Sequence, residues 1–234
     1  MVTLGENLVE ATFLRREKRF IVYAKLGSRT VQSFLSNTGT LDQILKNGAH
    51  LLLRPTKPGS RLPFQVLVAF EGNTPVVVDS QVPNNVIREA LANRAIQSLP
   101  SYSDIFPEKK VDGHRIDFYL ADHNSIYLEV KGCTLKTKRT VLYPDAPTER
   151  GVAHLKLLSR LHEKGHESVV IFLAMRSDVS SFQVNSAIDP EFSRLLSAGV
   201  ERGVKAIAYS TNFRKNQVRL GTELKFAPGW PPFH

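Results

Sequence analysis

Asp117, Glu129 and Lys131 lie in one short stretch, RIDFYLADHNSIYLEVKG, residues 115–132. Two runs of alternating apolar and polar residues flank the polar turn ADHNS, the pattern of a β-hairpin. Alternation puts Ile116, Phe118 and Leu120 on one face with Leu128 and Val130, toward a core. Arg115, Asp117 and Tyr119 then share the other face with Tyr127, Glu129 and Lys131. Pairing Leu120 with Ile126 sets Asp117 opposite Glu129 and Arg115 opposite Lys131. Opposed side chains sit about 4.5–5.5 Å apart at Cβ, where like charges destabilise. A divalent cation removes that penalty. Mg²⁺ takes one or two carboxylates, several waters and phosphate oxygens. Asp117 and Glu129 therefore suit half of a Mg²⁺ site, with Mn²⁺ also plausible, that a phosphodiester completes. Lys131 reaches the same spot, where it can orient or deprotonate the attacking water or neutralise charge growing on phosphate oxygens. The plainer reading of the same residues is a solvated polar face in which Arg115 and Lys131 neutralise the acids.

An acid on one strand followed by Glu-x-Lys on the next resembles the PD-(D/E)xK nuclease core. Glu-x-Lys also occurs at Glu108–Lys110 and Glu223–Lys225, but only the middle copy has an apolar strand around it and an opposed Asp. Glu89, on the helix before the hairpin, is a candidate third acid that reads equally as an exposed helix charge, and Glu108, in the approach strand, is its rival. Arg150 and His154, four apart, share one face at the start of a helix, and a helix N-terminus favours phosphate. Arg150 would grip the scissile or adjacent phosphate, with His154 beside it at the nucleic acid; the plainer reading pairs Arg150 with a neighbouring acid and makes His154 a satisfied interface residue. Asp145 and Thr148 are candidate caps of that helix. Lys136, Lys138 and Arg139 in LKTKRT, and Arg15, Arg16, Lys18 and Arg19 nearer the start, could track a nucleic-acid backbone or form solvated surface. Phe13, Phe20 and Phe34 offer either core or a stacking surface for bases. HEKGH, residues 162–166, matches a zinc-protease string, but Gly165 should end the helix before His166, so no zinc site is expected.

These residues need elements to hold them. LVEATFL, RFIVYAKL, VQSFLS, HLLLRP, FQVLVAFEG and TPVVVDS read as strands separated by turn residues, with a short helical piece at LDQILKNG. Five or six short strands in about 80 residues suggest a small oligonucleotide-binding (OB-like) barrel. From PNNVIREALANRAIQSL onward helix and strand alternate. APTERGVAHLKLLSRLHEKG is an amphipathic helix, SVVIFLAM and VKAIAYS are buried strands, and DPEFSRLLSAGVERG is a helix capped by Asp189. The expected architecture is a two-domain α+β or α/β chain. It comprises an OB-like barrel over 1–82, a nuclease-like mixed sheet flanked by helices over 83–225, and an irregular Pro-rich tail over 226–234.

The 234 residues carry 31 Lys and Arg against 22 Asp and Glu, a net charge of +9, which draws polyanions. No apolar run approaches the ~20 residues of a membrane helix, and no secretory signal is visible. One cysteine, Cys133, excludes an intramolecular disulfide, and the expected location is cytoplasmic.

The run RIDFYL…YLEVKGCTL…YPDAPTERGVAHLKLL, together with FLRREKRF, SNTG, DPEF and GVKAIAY, resembles the sugar fermentation stimulation protein (SfsA) family over nearly the whole chain. The family pairs an N-terminal OB barrel with a C-terminal nuclease-like domain and is described as DNA-binding, with first reported roles in regulating sugar metabolism. The resemblance implies a DNA partner, with Asp117, Glu129 and Lys131 at the nuclease-motif positions. The chain departs from the family pattern at Ser36 in SNTG, at Tyr143 in YPDA, and at Gly132-Cys133; none of these removes a metal ligand. Two functions follow: a Mg-dependent phosphodiester hydrolase acting on DNA, or a non-enzymatic DNA-binding regulator that keeps the fold without turnover. An RNA or protein partner remains a third reading, and oligomeric state is not legible.

Overall fold

The computed structural model describes residues 1–122, 125–228 and 230. The first strand, β1 (Val2–Thr3), leads into six that form one sheet: β2 (Val9–Glu17), β3 (Ile21–Leu26), β4 (Arg29–Phe34), β5 (His50–Pro55), β6 (Phe64–Glu71) and β7 (Thr74–Val77). Their order is β4-β3-β2-β5-β6-β7, and a parallel pairing of Ser33 and Phe34 with Phe64 and Gln65 closes the sheet into the expected OB-like barrel. Inward residues such as Phe13, Val22, Leu51 and Val66 fill it, which settles Phe13 as core. LDQILKNG is not helical. Leu41 has φ +56°, and its carbonyl accepts from both Ile44 and Leu45, so the segment is a turn. Ile44 and Leu41 are buried there all the same, which explains an apolar spacing that mimics a helix.

α1 (Val82–Ala92) opens the second half, with Pro83 in its first turn and no side-chain cap from Gln81. The apolar spacing predicts helix as far as Leu99. The helix instead stops at Asn93, and Arg94 (φ +54°) turns the chain, while Ile96 and Leu99 still reach the same core. Next come β8 (Asp104–Val111), β9 (His114–Ala121), β10 (Ile126–Cys133), β11 (Lys136–Thr137), β12 (Thr140–Tyr143) and α2 (Glu149–Glu163). They are followed by β13 (Glu167–Ala174), β14 (Ser181–Val184), α3 (Pro190–Glu201), β15 (Lys205–Arg214), β16 (Gln217–Glu223) and β17 (Lys225–Phe226).

The large sheet has seven strands in the order β1-β16-β15-β13-β10-β9-β8. Its centre, β10-β13-β15, is parallel. A central parallel strand is buried on both faces, which is why β13 reads as an unbroken apolar run. α1 and the barrel residues Leu67, Val68 and Val77 cover one face. α2, α3 and the small sheet β11-β12-β14-β17 cover the other. Phe172 of β13 lies fully buried there against Phe182 and Phe192, a burial worth about 1.5–3 kcal/mol. α2 ends at Glu163 and Gly165 follows with φ +86°, so His166 lies outside the helix that carries His162. β1 and Leu4 belong to the large sheet and its core, not to the barrel. Phe226 forms part of β17, and Trp230 packs on it with ring centroids 4.7 Å apart.

Candidate active site

The β9–β10 hairpin has the expected register. Leu120 pairs with Ile126, Tyr119 with Tyr127 and Phe118 with Leu128. There the ladder stops. In place of the next backbone bond, Asp117 Oδ2 accepts from the Val130 N–H at 2.8 Å, and Asp117 Oδ1 accepts from Asn84 Nδ2 at 2.8 Å. Glu108 has φ +56° between the Pro107–Phe118 and Lys109–Ile116 pairs, so β8 is kinked level with Asp117. The distortion carries Ile116 to the opposite core from Phe118 and Leu120, contrary to simple alternation.

β10 keeps its alternation. Leu128 and Val130 face the α1 side, while Glu129, Lys131 and Cys133 face α2. Gly132 lets α1 approach, since a Cβ there would lie 2.8 Å from Pro83. Glu129 is 2% exposed and Lys131 8%. Glu129 Oε1 accepts from Lys131 Nζ at 2.7 Å and contacts His154 Nδ1, which lies 3.4 Å from Lys131 Nζ. Glu129 Oε2 is buried with no hydrogen-bond partner among the described residues. Burial pushes the Glu129 carboxyl up, but Lys131 and His154 outweigh it and hold the group below the ordinary range. Asp117 goes the other way. Burial and then the neighbouring Glu129 charge raise it, only partly offset by Val130, Asn84 and Lys131. The two acids are thus electrostatic neighbours, one held ionised and the other disfavoured as an anion.

Asp117, Glu129 and Lys131 line a cavity of about 420 Å³ with Asn84, Tyr143 and Arg150. The barrel closes it from the other side with Phe20, Phe34 and the loop Ser36–Thr38. A larger cavity of about 730 Å³ adjoins and shares Lys131 and Asn84; Arg16, Arg19 and Asp145 line it further out. Arg16 fastens the barrel loop by donating to the carbonyls of Asn37, Gly39 and Thr40, each at 2.8 Å. Gly39 packs so tightly on Asp145 that a Cβ would collide with Oδ2. Thr148 caps α2 by accepting from Gly151 N at 3.0 Å, and this sets exposed Arg150 at the mouth of the cavity.

The other predicted residues are placed variously. Glu89 pairs with the N-terminal ammonium of Met1, and Glu108 is exposed and pairs with Arg115; neither lines the acid cavity. The α1 residue that reaches Asp117 is Asn84. The run PNNV suggests an Asn cap at this helix start, but the N-cap is Gln81, and Asn84 lies inside the first turn with its side chain on Asp117. His154 is 3% exposed and lies behind Glu129, so it supports the carboxylate instead of facing a nucleic-acid backbone. Arg15 pairs with Glu17 and stacks on Tyr23 at 3.6 Å. Lys136 is held by Asp178 at 2.5 Å, while Lys18, Arg19, Lys138 and Arg139 are exposed.

A family model for the sugar fermentation stimulation protein RE domain matches residues 81–217, and one for the SfsA N-terminal OB domain matches residues 14–78. The chain belongs to the SfsA family. A sugar fermentation stimulation protein homolog of Clostridium perfringens is 36% identical over 214 residues, covering 90% of this chain and 93% of that protein. The homolog of Clostridium kluyveri is 35% identical over 223 residues, covering 94% and 97%. Pyrococcus furiosus SfsA, solved in complex with Ca²⁺, shares the fold with a TM-score of 0.88 at 24% identity, covering 97% of this chain and 100% of that one. The nuclease-like character of the second half is a family and fold-level association. Among the described residues, no group of three or more His, Cys, Asp or Glu side chains could hold a metal ion, and no helix is long and apolar enough to cross a membrane.

Proposed function

We propose that the protein is a DNA-binding, Mg²⁺-dependent phosphodiester hydrolase acting in the cytoplasm, built as a barrel from β2 to β7 and a catalytic domain that runs from α1 and takes in β1. One observation carries this reading: Glu129 Oε2 is buried and has no hydrogen-bond partner among the described residues, beside Asp117 at a cavity open to Arg150. A native fold seldom leaves such an atom without a partner. Two carboxylates fit a hard cation that keeps several waters, and the solved Pyrococcus relative binds Ca²⁺, which is likewise an oxygen-seeking ion. Asp117 and Glu129 would hold the metal, which when bound lowers the pKa of water and screens phosphate charge.

The chain's own residues do the rest. Asn84 and the Val130 N–H fix the Asp117 carboxylate. His154 and Lys131 orient Glu129 through Oε1, which leaves Oε2 for a ligand. The Lys131 ammonium reaches the cavity, where it can position water or steady the oxygens of the phosphate undergoing attack. Arg150, at the start of α2, offers a fork of donors to a phosphate. Lys18, Arg19, Lys138 and Arg139 supply exposed charge for the nucleic-acid backbone, so affinity should fall steeply with salt.

A second reading, a DNA-binding regulator without turnover, draws on one observation: both Asp117 oxygens and Glu129 Oε1 already have protein partners. Incubating DNA with Mg²⁺ or Mn²⁺ separates the two. Cleavage by the wild type, lost in Asp117→Ala and Lys131→Ala while binding persists, supports the hydrolase. Equal inactivity of all three proteins supports the regulator.

A further inference from the structure

Phe20 and Phe34 are large apolar residues left in water, 41% and 39% exposed. They sit just before β3 and at the end of β4, with ring centroids 6.3 Å apart and planes 27° from parallel. Both rings line the acid cavity. Both also line a second groove, of about 540 Å³, on the barrel side, with Lys18 and Arg61 exposed at its edge. The aromatic pair is therefore the wall shared by the two spaces. On one side stand Asp117, Glu129 and Arg150; on the other lies an apolar trough edged by cations.

From this arrangement we infer that Phe20 and Phe34 form a stacking platform for an unpaired base of DNA next to the scissile phosphate, and so select single-stranded DNA or a frayed end. The inference rests on the proposed phosphodiesterase reading of the adjacent cavity and names its substrate class. A strand with one phosphate at the acids places its neighbouring base within a nucleotide's reach, where these rings are. Lys18 and Arg61 suit the next phosphate. Within a duplex each base is stacked on both faces and offers nothing to a ring. An unpaired base offers a whole π-face, and stacking of this kind is tolerant of sequence.

The test reads binding without cleavage. A fluorescein-labelled 16-nucleotide strand, alone or annealed to its complement, is titrated by anisotropy in EDTA against the full chain. The wild type is expected to bind the single strand more tightly. Phe20→Ala and Phe34→Ala should each weaken that binding about 5- to 150-fold, the equivalent of about 1–3 kcal/mol for one stacked base, with duplex binding unchanged. Phe34→Trp should retain it. A 2-aminopurine in the strand should be quenched on binding to wild type, a readout that needs no variant. Equal or tighter duplex binding, equal losses on both DNAs, or no quenching overturns the inference. Because hydrolysis is read separately with Asp117→Ala and Lys131→Ala, stacking can fail while cleavage stands, and the reverse.

Discussion

Replacing Lys131 by Met leaves Glu129 almost wholly buried, with His154 as its remaining partner on Oε1. Removing one member of a buried ion pair costs about 3–5 kcal/mol, because the other charge loses its compensation. For a chain of this length about 2 °C of melting temperature corresponds to 1 kcal/mol, so Lys131→Met should melt about 6–10 °C below wild type. Two further measurements assign the loss to charge. Glu129→Gln combined with Lys131→Met removes both charges and should recover most of the deficit, a coupling that a double-mutant cycle reads directly. Mn²⁺ should stabilise Lys131→Met through the freed carboxylate, by about 2.7 kcal/mol at a hundred times its dissociation constant. Thermal unfolding of the four proteins, with and without Mn²⁺, is the assay. A Lys131→Met melting point within about 2 °C of wild type, or a double variant less stable than either single one, would refute the account of Glu129 as a charge held by Lys131.

Three further outcomes follow from the geometry. Gly39→Ala should push Asp145 away and loosen the barrel loop, costing about 1–3 kcal/mol in a denaturant melt; an unchanged midpoint counts against the close packing. Thr148→Ala removes the α2 cap and should cost about 1 kcal/mol, with Thr148→Ser restoring most of it. Asp178 pairs with Lys136 and with the fully buried Arg176, which also forms an ion pair with Glu71 at 2.6 Å. Burial pushes Asp178 up, but Arg176 and Lys136 prevail and hold it well below the usual carboxylate range. Its contribution is therefore present above the unfolded value of about 3.9 and is lost as pH falls through the lower folded value. Asp178→Asn should cost stability at pH 6, and the gap to wild type should begin to narrow below about pH 4 and shrink further toward the lower folded value in acid melts.

The hairpin register could be read from sequence because a one-residue slip would have exposed Leu128 and Val130. The six barrel strands were legible for the same reason: each alternates or is bounded by turn residues. What the sequence hid was the break at Asp117. No local pattern announces a side chain standing in for a ladder bond, so simple alternation places Ile116 with Phe118 and Leu120 although it faces the other core. The turn at 41–48 was mistaken for helix because Leu41 and Ile44 are buried at helical spacing without helical backbone. The burial of His154 matches the alternative in which it is a satisfied interface residue, and spacing alone does not choose between that and a surface role. Its spacing from Arg150 shows that the two share a helix face, but not that the later turn of α2 presses on β10.

β1 pairs through Val2 and Thr3 with β16, strands that lie at opposite ends of the chain. The barrel is consequently tethered on both sides, a loop of polypeptide that leaves the large sheet after its first strand and comes back at α1. A fragment beginning at α1 would leave β16 paired with β15 alone and bare its outer edge at Gln217 and Val218, an invitation to edge-to-edge aggregation. The same double anchorage means that the chain crosses between barrel and large sheet twice, once after β1 and once at α1, so the two halves are not joined by a single hinge.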